Sequence, residues 1–365
     1  RHTNSSSDTE MLLNVFATEL QSQVQNQELD PNLIFKAVRS LHKRIKGSYA
    51  AISLISGHGI LAFRDPFGIR PLVIGKRVSE DNKEEWMIAS ESLVLENNDY
   101  KIERDVKPGE AIFISNQGEF FSQQCSDNPK LFPCSFEYVY LARPDSIMNG
   151  ISVYKARLRM GDFLAETIKK TIKSGEVDVV MPIPDSSRPA AMQVARQLAI
   201  EYREGFFKNR YVGRTFIMPG QQKRKQSVRQ KLNAMSTEFK NKNVLIVDDS
   251  IVRGTTSQQI VQMAKDAGAN KVFFTSAAPP VRYPHVYGIN MPTRKELIAH
   301  NRSISQIAKR LEIDNLFYQS VENLKKSIID GSSVEDLDMC CFTGSYVTGN
   351  INEEYLDWIE MEYKS

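Results

Sequence analysis

Long apolar runs are missing from this 365-residue chain: no stretch of about 18 apolar residues occurs, which excludes a membrane-spanning helix. Cysteine is scarce. The four present are Cys125, Cys134, Cys340 and Cys341; they form no CxxC pair, and so few in so long a chain exclude a secreted disulfide framework. A reduced, cytoplasmic thiol set is expected instead. Aromatics are absent from the main basic cluster, Lys223, Arg224, Lys225, Arg229 and Lys231, so it does not read as a nucleic-acid groove. A solvated face, or a site for a small polyanion, remains for it. The net charge is +3 and the pI about 8.5, which makes the chain mildly basic. The opening residues, "RHTNSSSDTE", carry neither a Met nor the apolar core of a signal peptide and read as the edge of a longer chain.

At 41% hydrophobic residues the chain can bury real cores, and its length suggests about two domains. From Tyr49 to Phe121 short apolar runs such as "YAAISLISG", "GILAF", "PLVIG" and "EWMIAS" alternate with turn residues, which predicts antiparallel sheet. Two helices are predicted ahead of it, the first with Ser7 and Glu10 at capping-box spacing. A polar stretch with two prolines follows Cys125 and reads as a linker. Beyond it the rhythm changes. "VYKARLRMGDFLAETIKKTI", "VDVVMPI", "PAAMQVARQLA", "NVLIV", "TSQQIVQMAKDAGA" and "KVFFTSAAP" alternate helix and strand, which predicts βαβ units around a parallel sheet.

The most informative stretch is "NVLIVDDSIVRGTTS", Asn243 to Ser257. A buried strand ends in two adjacent acids and passes at once into Gly254 and the hydroxyls of Thr255, Thr256 and Ser257. Ligands of open parallel sheets bind outside the carboxyl ends of the strands. Backbone N–H groups at a helix N-terminus hold phosphate well, and a pair of carboxylates suits sugar hydroxyls or a hard cation. The segment therefore offers a cradle for a sugar phosphate. An ordinary strand end with a capped helix is the alternative, but it leaves the double acid unexplained.

"VLIVDDSIVRGTTS" resembles the phosphoribosyl-pyrophosphate motif of the type I phosphoribosyltransferases. "FRDPFGIRPLVIGKR", "FEYVYLARPDS", "VMPIPDSS", "KNRYVGRTFIMPGQQ" and "TSAAPPVRYPHVYGI" narrow the resemblance to the glutamine phosphoribosylpyrophosphate amidotransferase family, over nearly the whole chain. The resemblance implies a mixed α/β and α+β fold: part of an N-terminal-nucleophile glutaminase domain with α/β/β/α layers over 1–124, and a linker over 125–135. A phosphoribosyltransferase parallel-sheet domain over 136–349 and a helical tail over 350–365 complete it. The implied reaction forms phosphoribosylamine, glutamate and pyrophosphate from phosphoribosyl pyrophosphate, glutamine and water, the first step of purine nucleotide synthesis.

Site roles follow by the same resemblance. Asp248, Asp249, Ser250, Arg253, Gly254, Thr255, Thr256 and Ser257 would hold ribose and 5-phosphate. Asp185, Ser186 and Ser187 would form the pyrophosphate loop, with Ser186, Asp248 and Asp249 as the neighbourhood of Mg²⁺. Lys208, Arg210 and Arg214 would neutralise pyrophosphate, and Tyr211 with Ile217 would wall an ammonia path. Asp8 matches the acid that holds the α-amino group of glutamine; Arg64, Asp65 and Arg70 are expected to form a structural ion network. The family's glutaminase nucleophile is an amino-terminal Cys, whereas this chain begins with Arg1, so ammonia-dependent activity at most is expected. Some family members carry an iron–sulfur cluster. Here Cys340 and Cys341 are adjacent and Cys125 and Cys134 lie in another region, so none is expected. Inhibitory AMP and GMP and a homo-oligomer complete the implied partners, with no nucleic acid or membrane among them. A salvage phosphoribosyltransferase would lack the first domain. A non-enzymatic sensor of phosphoribosyl pyrophosphate should carry a DNA-binding segment, which is not seen.

Overall fold

The computed structural model describes residues 4–5, 7–24, 28–209, 232–291 and 293–362. Two helices, Asp8–Val24 and Pro31–Arg44, open the chain and pack on each other. The start of the second is fixed locally: the Asp30 side chain accepts from Leu33 N, and Pro31 occupies the first turn, where no N–H partner is needed. The capping box expected over Ser7 does not form. Glu10 accepts instead from Asn4 N at 2.6 Å and from the Ser5 hydroxyl.

Seven strands follow: β1 Ala50–Ile55, β2 Gly59–Arg64, β3 Val73–Val78, β4 Glu84–Ala89, β5 Lys101–Asp105, β6 Glu110–Ser115 and β7 Phe120–Gln124. They form two antiparallel sheets, ordered β1-β2-β6-β7 and β4-β3-β5. Period-two alternation decides what each face covers. Leu61 and Phe63 of β2 meet Phe16, Phe35 and Val38 of the helices, whereas Ala62 meets Ile74 of β3 and Val106, which follows β5. The short helix Ser92–Glu96 lies against β3, β4 and β5 through Leu95, so the order is helices, sheet, sheet, helix. That is the layering the family resemblance implies.

The stretch 125–135 is pinned on both sides. Lys130, Phe132 and Cys134 donate backbone N–H to Pro66, Phe67 and Ile69, while Asp338 N donates back to Pro133 O. The expected network of Arg64, Asp65 and Arg70 is not built as one. Buried Arg64 donates to the carbonyls of Arg70, Val106 and Gly68, and Asp65 accepts the N–H groups of Tyr49, Phe67 and Ile69. Only Arg70 makes an ion pair, with Glu137 at 2.9 Å. Both buried charges thus tie the turn after β2 to backbone rather than to each other, since carbonyls and amides lay nearer than a counter-ion.

After a small ribbon, β8 Ile147–Met148 with β9 Ile151–Ser152, comes the second sheet system. Strands β10 Val179–Pro182, β11 Glu201–Tyr202, β12 Phe206–Lys208, β13 Leu232–Ala234, β14 Asn243–Asp248, β15 Lys271–Ser276 and β16 Asn315–Tyr318 follow in sequence. Five of them make one parallel sheet in the order β11-β10-β14-β15-β16. Leu245 and Val247 of β14 face the helices Val153–Lys169 and Arg188–Leu198; Val244 and Ile246 face Thr255–Asp266 and Ile304–Leu311. Strands buried on both faces explain the unbroken apolar runs. The antiparallel pair β12–β13 brackets 210–231, which lie outside the described residues, as do the expected site residues Arg210, Tyr211 and Arg214. The tail holds a helix, Glu353–Glu362. Among the described residues, no helix is long and apolar enough to cross a membrane.

Candidate active site

The carboxyl ends of β10 and β14 lie side by side, Pro182 opposite Val247. β14 ends at Asp248, and its ladder to β15 is prolonged by Ala277 N to Asp248 O and Ala278 N to Asp249 O. This fixes the backbone beneath the acids. Asp249 N donates to Asp248 Oδ1 at 2.9 Å, and the two carboxyls are 8% and 9% exposed. Asp249 has a hydroxyl on each oxygen: Ser250 at 2.8 Å on Oδ1 and Ser186, from the turn after β10, on Oδ2. Burial pushes both acids above the usual carboxylate range, and the negative neighbour Asp249 pushes Asp248 further. The hydroxyl bonds and the charge of Arg157 pull Asp249 partly back.

Arg157 is a residue the sequence did not single out. It sits in the helix Val153–Lys169, 3% exposed, with Nε on Tyr138 O and Nη2 on Ala142 O, both at 2.8 Å. Its buried positive charge offsets part of the cost of a charged Asp249.

The turn after the acids is closed tightly. Val252 O accepts from Ile298 N at 2.9 Å, and Gly254 caps the helix Thr255–Asp266 at φ +75°. A Cβ on Gly254 would stand 2.2 Å from Ile298 Cδ1, so glycine is required on two counts. Thr255 and Thr256 open the helix beside its unpaired first-turn amides, with Thr256 exposed and Ser257 buried. Arg253 points elsewhere: its Nε and Nη2 hold Glu296 Oε2 at 3.0 and 2.8 Å.

On the β10 side the turn contains a cis peptide bond between Pro184 and Asp185. Ser187 is turned inward, its hydroxyl spent on Ile183 O. Asp185 is exposed and meets Arg188 at 2.6 Å and Lys208 at 3.2 Å. The structure thus brings Asp185, Ser186, Lys208, Asp248, Asp249 and Ser250 to one edge of the sheet. Asp8 is exposed in the first turn of the helix Asp8–Val24, in the other sheet system.

A second polar constellation was hidden by sequence distance. Cys134 Sγ lies 3.4 Å from His285 Nε2, which lies 3.5 Å from Asp338 Oδ2, all buried; Cys340 Sγ also meets Asp338 Oδ2 at 3.5 Å. The region of Cys134 is therefore that of Cys340 after all, while Cys125 stays under Phe35 in the first part. His285 Nδ1 accepts from Tyr287 N at 3.3 Å, which puts the ring proton on Nε2, facing the acid and the thiol. Burial pushes the Cys134, Cys340 and Cys341 thiols up, so they stay protonated and unreactive.

A parallel sheet whose central strand ends in an acid pair, followed by a glycine turn and a helix N-terminus, defines a phosphoribosyltransferase. Residues 152–288 match the phosphoribosyl transferase domain family. The chain is 54% identical to the amidophosphoribosyltransferase of Pasteurella multocida, over 98% of this chain and 71% of that one. It is 50% identical to that of Escherichia coli, over 99% and 71%. The solved glutamine phosphoribosylpyrophosphate amidotransferase of B. subtilis, complexed with ADP and GMP, superposes with a TM-score of 0.80 at 36% identity, over 97% of this chain and 73% of that one. The chain belongs to the amidophosphoribosyltransferase family, pentosyl-transferring enzymes of the first step of purine biosynthesis.

Proposed function

We propose that this chain transfers the phosphoribosyl group of phosphoribosyl pyrophosphate to ammonia, which the family draws from glutamine. The observation that carries the reading is Asp249 held by Ser186 and Ser250, one turn ahead of Gly254 and the helix N-terminus. Asp248 and Asp249 accept from the ribose hydroxyls. The first-turn amides with Thr255 and Thr256 hold the 5-phosphate, and Lys208 faces the pyrophosphate. The C1–O bond to pyrophosphate breaks, a C–N bond to ammonia forms, and charge develops on the ribose ring next to the acid pair.

Ser186, Asp248 and Asp249 present only oxygen donors, a set that fits Mg²⁺. These three residues would hold the ion, which would supply positive charge to offset that of pyrophosphate. AMP and GMP carry the same ribose 5-phosphate and compete for the same cradle, in keeping with the nucleotides on the B. subtilis enzyme. Residues 1–124 form the glutaminase part, with Asp8 for the glutamine amino group, and 136–349 the transferase part, joined by 125–135 and followed by the tail 350–365. A reducing cytoplasm suits four free, buried cysteines, and the active form is a homo-oligomer that needs no nucleic acid.

The test is pyrophosphate release from phosphoribosyl pyrophosphate with ammonium chloride and Mg²⁺ at alkaline pH, so that only the transferase site is read. Turnover that is lost in Asp249→Asn is expected. A folded chain that binds AMP but releases no pyrophosphate would overturn the proposal.

A further inference from the structure

The turn after β10 carries a charge arrangement that the acid pair does not explain. Asp185 has a side chain 55% exposed, yet both its oxygens are taken: Oδ1 by Arg188 Nη1 at 2.6 Å and Oδ2 by Lys208 Nζ at 3.2 Å. Arg188 is braced from behind. Its Nε and Nη2 meet Glu204 Oε1 and Oε2 at 2.9 and 3.3 Å, and the Tyr202 hydroxyl donates to Glu204 Oε1 at 2.6 Å. An exposed ion pair between Arg188 and Asp185, three residues apart, would by itself contribute little. Here one carboxylate instead joins a braced arginine fork to a lysine from another strand, at the edge where the acid pair also stands.

A carboxylate offers one negative charge between two cations. A diphosphate offers more charge and more acceptor oxygens to the same donors, and so wins them in competition. We propose that Asp185 is an internal placeholder for pyrophosphate: it holds Lys208 and Arg188 in place and yields them when a diphosphate-bearing ligand arrives. The proposal rests on the reading of this pocket as the phosphoribosyl pyrophosphate site. It makes Arg188 a pyrophosphate ligand braced by Glu204, and Asp185 a positioning residue that competes with the ligand rather than holding it.

The experiment is calorimetric titration of the full chain with Mg²⁺ and inorganic pyrophosphate, and separately with AMP, which carries ribose 5-phosphate but no diphosphate. Asp185→Asn frees both cations and should tighten pyrophosphate binding by roughly three- to tenfold. Arg188→Ala should weaken it by a similar factor. In the double variant the gain from Asp185→Asn should shrink, because one of the two cations is gone. AMP affinity should be the same throughout. Asp185→Ser carries the same expectation should Asp185→Asn fail to fold. Pyrophosphate affinity unchanged or weaker in the Asp185 variants overturns the placeholder role. AMP failing to bind the unaltered chain would instead remove the reading of the pocket on which the proposal rests.

Discussion

Replacing Gly254 with alanine tests the turn that separates the acids from the phosphate cradle. The new Cβ meets two independent penalties. At φ +75° a non-glycine residue costs about 1–2 kcal/mol. The Cβ would also stand 2.2 Å from Ile298 Cδ1 and 3.1 Å from Cγ1, well inside the ~3.5–4.0 Å of normal carbon contact. Ile298 cannot simply withdraw, being 4% exposed with its N–H tied to Val252 O at 2.9 Å. Forcing a methyl into such packing costs about 1–3 kcal/mol, so Gly254→Ala should lose roughly 2–5 kcal/mol in all. Urea unfolding measures the loss, and AMP titration should show the cradle distorted with it. Ile298→Ala removes the two nearest atoms and leaves its own Cβ at 3.3 Å. The double variant should therefore be less destabilised than the two single variants combined, by roughly 1–3 kcal/mol. Additivity within about 0.5 kcal/mol would refute the steric argument.

Three further outcomes follow from buried or clustered charge. Because Asp248 and Asp249 are held above the usual carboxylate range, they lose charge at a higher pH than ordinary acids as the medium is acidified. Mg²⁺-dependent ligand affinity should accordingly fall at a higher pH than an ordinary carboxylate pair would give, and an ordinary carboxylate midpoint in the titration would contradict the burial. Asp65 is raised to about 6 by burial, so the folded state binds a proton that the unfolded state has released, and stability falls as pH rises from about 4 to 6. Asp65→Asn should remove that share, on the order of 2–3 kcal/mol across the window, and parallel unfolding curves with pH would count against it. Arg294 gathers Glu353, Asp357 and Glu360 from one face of the helix Glu353–Glu362. Arg294→Ala should speed amide exchange throughout that helix while costing only about 1–2 kcal/mol globally, because two of the three acids are exposed; unaltered exchange would show the clamp to be idle.

The sheet systems were legible because both kinds of strand leave a pattern in sequence. β1 and β2 are short apolar runs set between turn residues, β14 is apolar from Val244 to Val247, and the acids mark its end. Local chemistry misled at several places, Arg253 and the Arg64–Asp65–Arg70 set among them. Glu10 found Asn4 and Ser5 closer than Ser7, and Ser187 satisfied its own turn instead of facing outward. What the sequence hid is long-range. Arg157 reads as one more basic residue on an amphipathic helix, and only the packed structure puts its charge near Asp249. His285 lies 151 residues from Cys134, a separation that no spacing rule bridges. Arg188 and Glu204 are unremarkable until β11 and the turn after β10 bring them within 2.9 Å.

The central claim is that the acid pair at the end of β14 binds the ribose of phosphoribosyl pyrophosphate. Calorimetric titration with that ligand and Mg²⁺, comparing the unaltered chain with Asp248→Asn/Asp249→Asn, tests it most directly. Loss of charged hydrogen bonds from a buried pair should weaken binding at least about tenfold, on the order of 1.4 kcal/mol or more. Equal affinity in a folded double variant would contradict it.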